Sequence, residues 1–432
     1  MPATATSSPP PAQSFEDSVY RKVTWRLVPF LFVCYVLAYL DRVNVGFAKL
    51  QMLSDLKFSE TAYGLGAGIF FIGYFIFEVP SNLILYRTGA RRWIARIMVT
   101  WGILSAGMMF VTSEMMFYVL RFFLGAAEAG FFPGIILYLT YWFPARQRAR
   151  IVALFMTAIA MSGVIGGPLS GWIMVSMAGV NGWAGWQWLF LIQGLPSVAM
   201  GIAVLFYLDD SIRSAGWLTP QEKTLLEANI AADQKTQAHS SVMSTLRNPQ
   251  VLLMSALYFF FIMGLYGVSF WLPQLISGMG VKDLMSIGLL SAIPYGVAAV
   301  CMVLVGRSSD RNGERRMHLI VPALLGALGL ALAGAFGNQP LLGMLALTLG
   351  TAGVLSVLPV FWTLPTSLLG GAAAAAGIAL INSIGNLAGF ISPFMVGAIK
   401  DATGSTTVAL YVLAASMVLG ALVSLLATRK AR

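Results

Sequence analysis

From about residue 24 to residue 427 the chain alternates long apolar runs with short polar connections. Runs of at least ~18 apolar residues are long enough to cross a bilayer as helices. They predict twelve membrane spans, at 24–47, 61–85, 93–112, 116–143, 149–176, 186–208, 250–272, 284–306, 318–337, 341–364, 374–399 and 406–427. One long polar stretch, 209–249, interrupts the series and divides the spans six and six. Within it, Trp217-Leu-Thr-Pro-Gln-Glu-Lys predicts the start of a surface helix, with Thr219 as cap and Pro220 in the first helical position. The opening MPATATSSPPPAQS has no basic segment followed by an apolar core, so it reads as a disordered tail rather than a signal peptide. The expected organisation is a disordered cytoplasmic tail (1–20), a first six-helix bundle (21–208), a cytoplasmic linker (209–249) and a second bundle (250–432).

The two halves match at an offset of about 225 residues. Arg87-Thr-Gly89-Ala-Arg91-Arg92 corresponds to Arg311-Asn-Gly313-Glu-Arg315-Arg316, Gly125 and Pro133 to Gly350 and Pro359, and Pro168 to Pro393. A half with six spans begins and ends on one side of the membrane, so the duplication is parallel. The expected fold is therefore an all-α membrane protein of twelve transmembrane helices in two pseudo-symmetric six-helix bundles. A site between such bundles is the architecture of a rocking transporter.

Composition agrees: 58% of residues are hydrophobic and 10% charged, where a soluble domain carries about 25% charged. The net charge of +10 does not imply nucleic acid, because its placement follows the membrane. With the tail cytoplasmic, 21 of the 27 Lys and Arg fall on the cytoplasmic side, which orients both termini inward. Only Lys49, Lys57, Lys282 and Lys400 fall outside, and Arg42 and Arg121 lie within spans. Cys34 and Cys301, in different spans, form no disulfide framework or metal spacing.

The charges break the symmetry. Asp41, Arg42, Glu78, Arg121 and Glu128 all lie in spans of the first half, and the positions matching Arg121 and Glu128 in the second half are Ala346 and Gly353. Each charge at a helix centre costs about 2.5–3.5 kcal/mol on insertion scales, so each needs a partner or a task. Arg121 and Glu128, seven apart, share one helix face roughly 10 Å apart along the axis. Similar depth suggests an Arg121–Asp41 ion pair, which leaves Glu128 without a fixed partner and so a candidate proton carrier. A static ion network between spans 1 and 4 is the structural alternative. Arg42 would then be free to grip an anion with its two-pronged donor fork. Glu78 reads as a gate or helix-end contact. Asn382 and Asn386 share a face of span 11, where they either line a cavity or hold helices together. The second half otherwise offers neutral groups, among them Tyr266, Ser269, Trp271 and Trp362. No nucleotide loop, nucleophile–His pair or paired catalytic carboxylates are present, so catalysis has no candidate residues and no cofactor is expected.

The segments YVLAYLDRVNVGFA, FEVPSNLILYRTGARRWIARIM, RFFLGAAEAGFFPGIILYLTYWFP, GWQWLFLIQGLPS and FWTLPTS resemble the major facilitator superfamily. More narrowly they resemble its anion:cation symporter family, which includes bacterial tartrate, phthalate, hydroxyphenylacetate and sugar-acid permeases. The superfamily's loop signature is intact in the second half as Gly306, Asp310, Arg311 and Gly313, whereas Asn82 and Tyr86 stand where the first half would have Gly and Asp. The resemblance implies proton-driven uptake of a small organic carboxylate across a bacterial inner membrane, by a monomer. By motif, Asp41 and Glu128 would be the protonating pair and Arg121 their coupling partner. Arg42 would meet the substrate carboxylate, helped by Tyr39, Tyr74, Trp362 and Asn386, and Arg91, Asp310 and Arg311 would serve gating; Asn382, if its shared face with Asn386 lines the cavity, would join the substrate contacts. A proton-coupled antiporter exporting drugs or metabolites is the alternative, and a ligand-binding receptor a remoter one.

Overall fold

The computed structural model describes residues 11–235, 248–368 and 371–428. Its helices include twelve long and apolar enough to span a membrane. Spans 1–6 are Phe15–Leu56, Glu60–Thr88, Ala90–Phe110, Glu114–Thr140, Leu154–Ser176 and Gly185–Tyr207. Spans 7–12 are Pro249–Gly278, Leu284–Asn312, Arg316–Ala335, Pro340–Pro365, Leu380–Thr403 and Thr407–Ala427. Leu, Ile, Val and Phe side chains such as Leu83, Ile103, Phe206 and Val300 stay exposed on the outer surface, which suits lipid rather than water.

Span 1 is longer than its apolar run at both ends. Its first helix is Pro11–Val43, so the expected tail is helical from Pro11 onward, and residues 1–10 lie outside the described residues. Asn44 keeps helical dihedrals (φ −57°, ψ −26°), and the helix Val45–Leu56 carries the span on to Leu56. Span 4, by contrast, is broken, into Glu114–Glu128 and Phe131–Thr140. The break runs through extended Ala129 and left-handed Gly130 (φ +85°). Gly130 is the residue type that conformation favours, and its open side faces Ser81, whose Oγ would lie 2.3 Å from any added Cβ. This break falls beside a charge, because Glu128 ends the helix before it.

The bundles meet mainly along two seams, span 2 against span 11 and span 5 against span 8. The glycines of span 5 act there as spacers. A Cβ on Gly167 would sit 2.5 Å from the carbonyl oxygen of Gly288, and one on Gly288 would sit 2.4 Å from that of Gly167. Close approach through small residues is how helices bind one another where lipid removes the hydrophobic driving force.

The linker begins as part of the first bundle. Tyr138 donates to the carbonyl of Asp209 (2.7 Å) and Trp217 stacks on Trp142 with ring centroids 5.7 Å apart. The surface helix expected at Pro220 runs Pro220–Lys235, with Thr219 and Glu222 bonding each other's backbone N–H groups. Residues 236–247 of the linker lie outside the described residues. Asp210 takes the place of the acid missing from the first loop signature: its carboxylate accepts from the backbone of Arg91 (2.8 Å) and lies 3.8 Å from that guanidinium. In the second half Arg315, which matches Arg91, pairs with Asp310 at 2.6 Å. Arg311 is exposed at the end of span 8.

Substituting Gly130→Ala should lower the unfolding temperature of the purified protein. The left-handed backbone adds about 1–2 kcal/mol for a residue with a Cβ, and the contact with Ser81 adds to it. Removing the hydroxyl as well, with Ser81→Ala, should restore only part of the loss. An unchanged melting temperature for Gly130→Ala would show that the break does not need glycine.

Candidate functional site

Arg42 of span 1 and Glu128 of span 4 meet in the interior of the molecule. The Arg42 guanidinium forms an ion pair with Glu128, and both side chains are nearly sealed from solvent. The other arm of the fork donates to the hydroxyl of Tyr266, in span 7 of the second bundle, at 2.7 Å. Rings of Tyr39, Phe70 and Tyr74 surround the guanidinium, with centroids 5.5–5.7 Å from Cζ. A desolvated cation facing aromatic rings gains from their quadrupoles. Tyr39 shares a 2.9 Å hydrogen bond with Ser269, also in span 7. Arg42 and its neighbours thus join the two bundles.

Asp41 points elsewhere, because adjacent helix residues lie about 100° apart around the axis. Its carboxylate accepts from Trp101 Nε1 (3.0 Å), Ser105 Oγ (3.0 Å) and Ser197 Oγ (2.5 Å), all within the first bundle. The expected Asp41–Arg121 pair is not made. Arg121 turns to backbone, donating to the carbonyls of Gly66 (3.1 Å), Ala67 (3.2 Å) and, at 3.5 Å, Arg42 itself. Nor is Glu128 without a partner or Arg42 free: each has taken the other. The alternative of a static network between spans 1 and 4 describes this state more closely, with its members exchanged.

The remaining candidates are less gathered. Asn382 donates to Glu78 Oε1 (2.7 Å), and its neighbour Ser383 to Oε2 (2.8 Å), so this buried pair crosses from span 11 to span 2. Asn386 is buried one turn further along span 11. Trp362 packs against Tyr258 and Phe132, with ring centroids 5.1 and 5.7 Å away. Among the described residues, no His, Cys, Asp and Glu gather in a group that could hold a metal ion.

A second charged cluster has no counterpart in the sequence reading, which left Lys49 and Lys400 beyond the bilayer. Lys49 lies 2.5 Å from Glu60, and Lys400 lies 2.5 Å from the other oxygen of the same carboxylate. Asp401 accepts from the backbone of Thr61 (2.7 Å) and from its hydroxyl. The indole of Trp271 lies under Lys49, 3.4 Å from ammonium to ring centroid. Lys49, Glu60 and Thr61 belong to the first bundle, and Trp271, Lys400 and Asp401 to the second. The cluster therefore joins the two bundles on the face opposite the termini. On the terminal face a cavity of about 860 Å³ lies open between the bundles, lined by Tyr20, Arg21, Gln147, Arg307, Asp310 and Pro359 among others. The signal that could have exposed Lys49 is VNVGFA, which carries the apolar pattern past Asp41 and Arg42 towards it.

The Major Facilitator Superfamily model matches residues 31–393. The chain belongs to that superfamily. It is a membrane transporter, not an enzyme. It is 50% identical over 416 residues to a "Putative tartrate transporter" of Agrobacterium vitis, covering 96% of this chain and 92% of that protein. It is 42% identical to a "Quinolone resistance transporter" of Acinetobacter baumannii, covering 94% of each. In fold it superposes on the xylose transporter XylE from E. coli with a TM-score of 0.72, at 16% identity and over 92% of this chain and 97% of that one.

The face opposite the termini offers a test of the transporter's charge arrangement. Glu60→Gln would leave Lys49 and Lys400 facing each other without their shared anion, and breaking a buried pair on one side costs on the order of 3–5 kcal/mol. We expect a cysteine placed at Phe270, behind the cluster, to become reactive to a membrane-impermeant thiol reagent in a Glu60→Gln background lacking Cys34 and Cys301. Labelling no faster than with Glu60 intact would mean that the cluster does not hold this face shut.

Proposed function

We infer that the protein is a proton-coupled symporter importing a small organic carboxylate by alternating access across a bacterial inner membrane. In that reading both termini are cytoplasmic, the face opposite them is periplasmic and the open cavity faces the cytoplasm. The observation that carries the reading is the Arg42–Glu128 pair. An arginine fork suits a carboxylate, and here it already holds one. A substrate carboxylate can take that place only if Glu128 withdraws, and a proton on Glu128 removes the charge that binds it to Arg42. Proton and anion binding are thereby linked: the proton frees the fork and the anion occupies it.

The other groups have parts in the same cycle. Tyr266 and Tyr39 tie Arg42 to span 7, so substrate on Arg42 is felt by both bundles. Arg121 braces the carbonyl of Arg42 against span 2. Asp41, held by three neutral donors, is the second protonation site and reports to Arg42 through the backbone they share. Tyr74, Trp362, Asn382 and Asn386 complete the surroundings of the cargo once the pair opens. With net charge neutralised, the bundles rock about the site; the periplasmic cluster parts and the cytoplasmic side closes. The similarity to a protein named as a tartrate transporter supports a hydroxylated carboxylate as cargo, with aromatic carboxylates next in line.

A second reading, export of drugs by proton antiport, is favoured by the similarity to the protein named for quinolone resistance. One experiment separates the two. The protein is reconstituted in liposomes, a proton gradient is imposed, and uptake of radiolabelled tartrate, galactonate, phthalate and hydroxyphenylacetate is followed beside a quinolone. Symport accumulates a carboxylate on the side towards which protons flow; antiport moves cargo the other way. Glu128→Gln should still exchange bound carboxylate across the membrane but no longer concentrate it. Arg42→Lys, which keeps the charge and loses the fork, should weaken carboxylate binding at least tenfold. Full accumulation by Glu128→Gln would remove Glu128 from coupling.

A further inference from the structure

Glu78 is a buried carboxyl that the proposed cycle does not use. It lies 18 residues along span 2 from Glu60, so roughly 27 Å below the periplasmic cluster and on the cytoplasmic side of Arg42. Both of its oxygens are occupied by the other bundle: Oε1 by Asn382 and Oε2 by Ser383. These two donors are neutral. The charged group that acts on Glu78 is Arg42 in span 1; the titratable groups near it are the neutral phenols of Tyr266 in span 7 and Tyr74 on its own helix. Glu128, on span 4, is taken up by Arg42. Glu78 itself appears in no ion pair among the described residues, so its hold on span 11 depends on two hydrogen bonds.

The chemistry of those bonds depends on one proton. An ionised carboxylate accepts at both oxygens, and hydrogen bonds to a charged acceptor are about twice as strong as neutral ones. The amide nitrogen of Asn382 can only donate. A neutral acid has one O–H to donate, so either Ser383 reverses to accept a proton on Oε2, or the Asn382 amide turns over to accept one on Oε1. Protonation therefore replaces two charge-assisted bonds between the bundles with two neutral ones, or loses one outright.

The two seams differ on the cytoplasmic side. Leu154 and Thr157 of span 5 and Met302 and Val303 of span 8 line the open cavity, so that seam has parted. Spans 2 and 11 remain joined at Glu78. We propose that Glu78 is a proton-controlled latch on the span 2–span 11 seam, closed when ionised and released when protonated. Protonated, it lets the cytoplasmic side open fully and cargo depart; its proton then leaves to the water of the cavity, and the ionised latch draws the cytoplasmic side shut for the return of the empty carrier. The proposal rests on the alternating-access reading but not on the identity of the cargo.

The test uses the full-length protein without cargo, in lipid nanodiscs. Spin labels at Thr88 and Asn312, both exposed and on different bundles, report the opening of the cytoplasmic side by pulsed electron paramagnetic resonance. The unmutated latch should favour the shorter distance at alkaline pH and shift several-fold towards the longer one at acidic pH. Glu78→Gln should favour the longer distance at both, with the pH dependence gone, while Glu128→Gln should retain the dependence. If Glu78→Gln does not fold, the double variant Asn382→Ala, Ser383→Ala leaves the carboxyl in place and should favour the open state at every pH. A distance ratio that ignores pH in the unmutated latch would overturn the proposal. So would a pH profile that survives Glu78→Gln, vanishes only with Glu128→Gln, or is unmoved by the double variant. Failure of the carboxylate uptake panel would leave these outcomes as informative as before.

Discussion

The buried guanidinium of Arg42 is paired with the carboxylate of Glu128, and span 4 is interrupted directly after that carboxylate, at the Ala129–Gly130 step. Arg121, equally buried, donates to backbone carbonyls instead, among them that of Arg42. The aromatic rings around Arg42 exclude water while still offering the cation a favourable face. Such a pair is weak evidence for stability, since desolvating two ions cancels most of their attraction. In the proposed cycle its value lies in being exchangeable, because a competing carboxylate can replace Glu128 without leaving Arg42 uncompensated.

Around that centre the inter-bundle contacts are of unlike kinds. The span 5–span 8 seam is a close approach of glycine backbones, which fixes distance and carries no charge. The span 2–span 11 seam carries ionic and polar fastenings on either side of Arg42, namely the Lys49–Glu60–Lys400 cluster and the Glu78–Asn382–Ser383 bonds. A seam of glycines can act as a bearing, and a seam of charged fastenings can act as a lock. In the proposed cycle the first seam serves as an axis for the two bundles and the second as something to release.

The twelve spans, their division into halves and the burden of charge on the first half were all legible in the sequence, because hydropathy and insertion cost act locally along the chain. Which ion met which was not. Arg121 and Asp41 lie at similar depth, but depth does not give the rotation of a side chain about its helix, and Asp41 proved to face three neutral donors on spans 3 and 6. A serine or tryptophan among apolar neighbours gives no sign that it serves a carboxylate. Lys49 was missed because a lysine near a helix end ordinarily reaches towards the headgroups, whereas span 1 continues past it to Leu56. Glu78 was read as a gate or helix contact; its partners, two neutral residues of span 11 some 300 positions away in the chain, could only come from the fold.

The way Asp210 completes the first loop has a consequence for how the duplicated scaffold divides. In the second half the arginine of the loop finds its acid within the same repeat, at Asp310. In the first half the matching arginine borrows one from the chain that joins the repeats. The first repeat is therefore not self-sufficient: cut at Leu208, it would lack a residue its own turn leans on. The segment beginning at Asp209 is thus a structural partner of the first repeat rather than a bare tether.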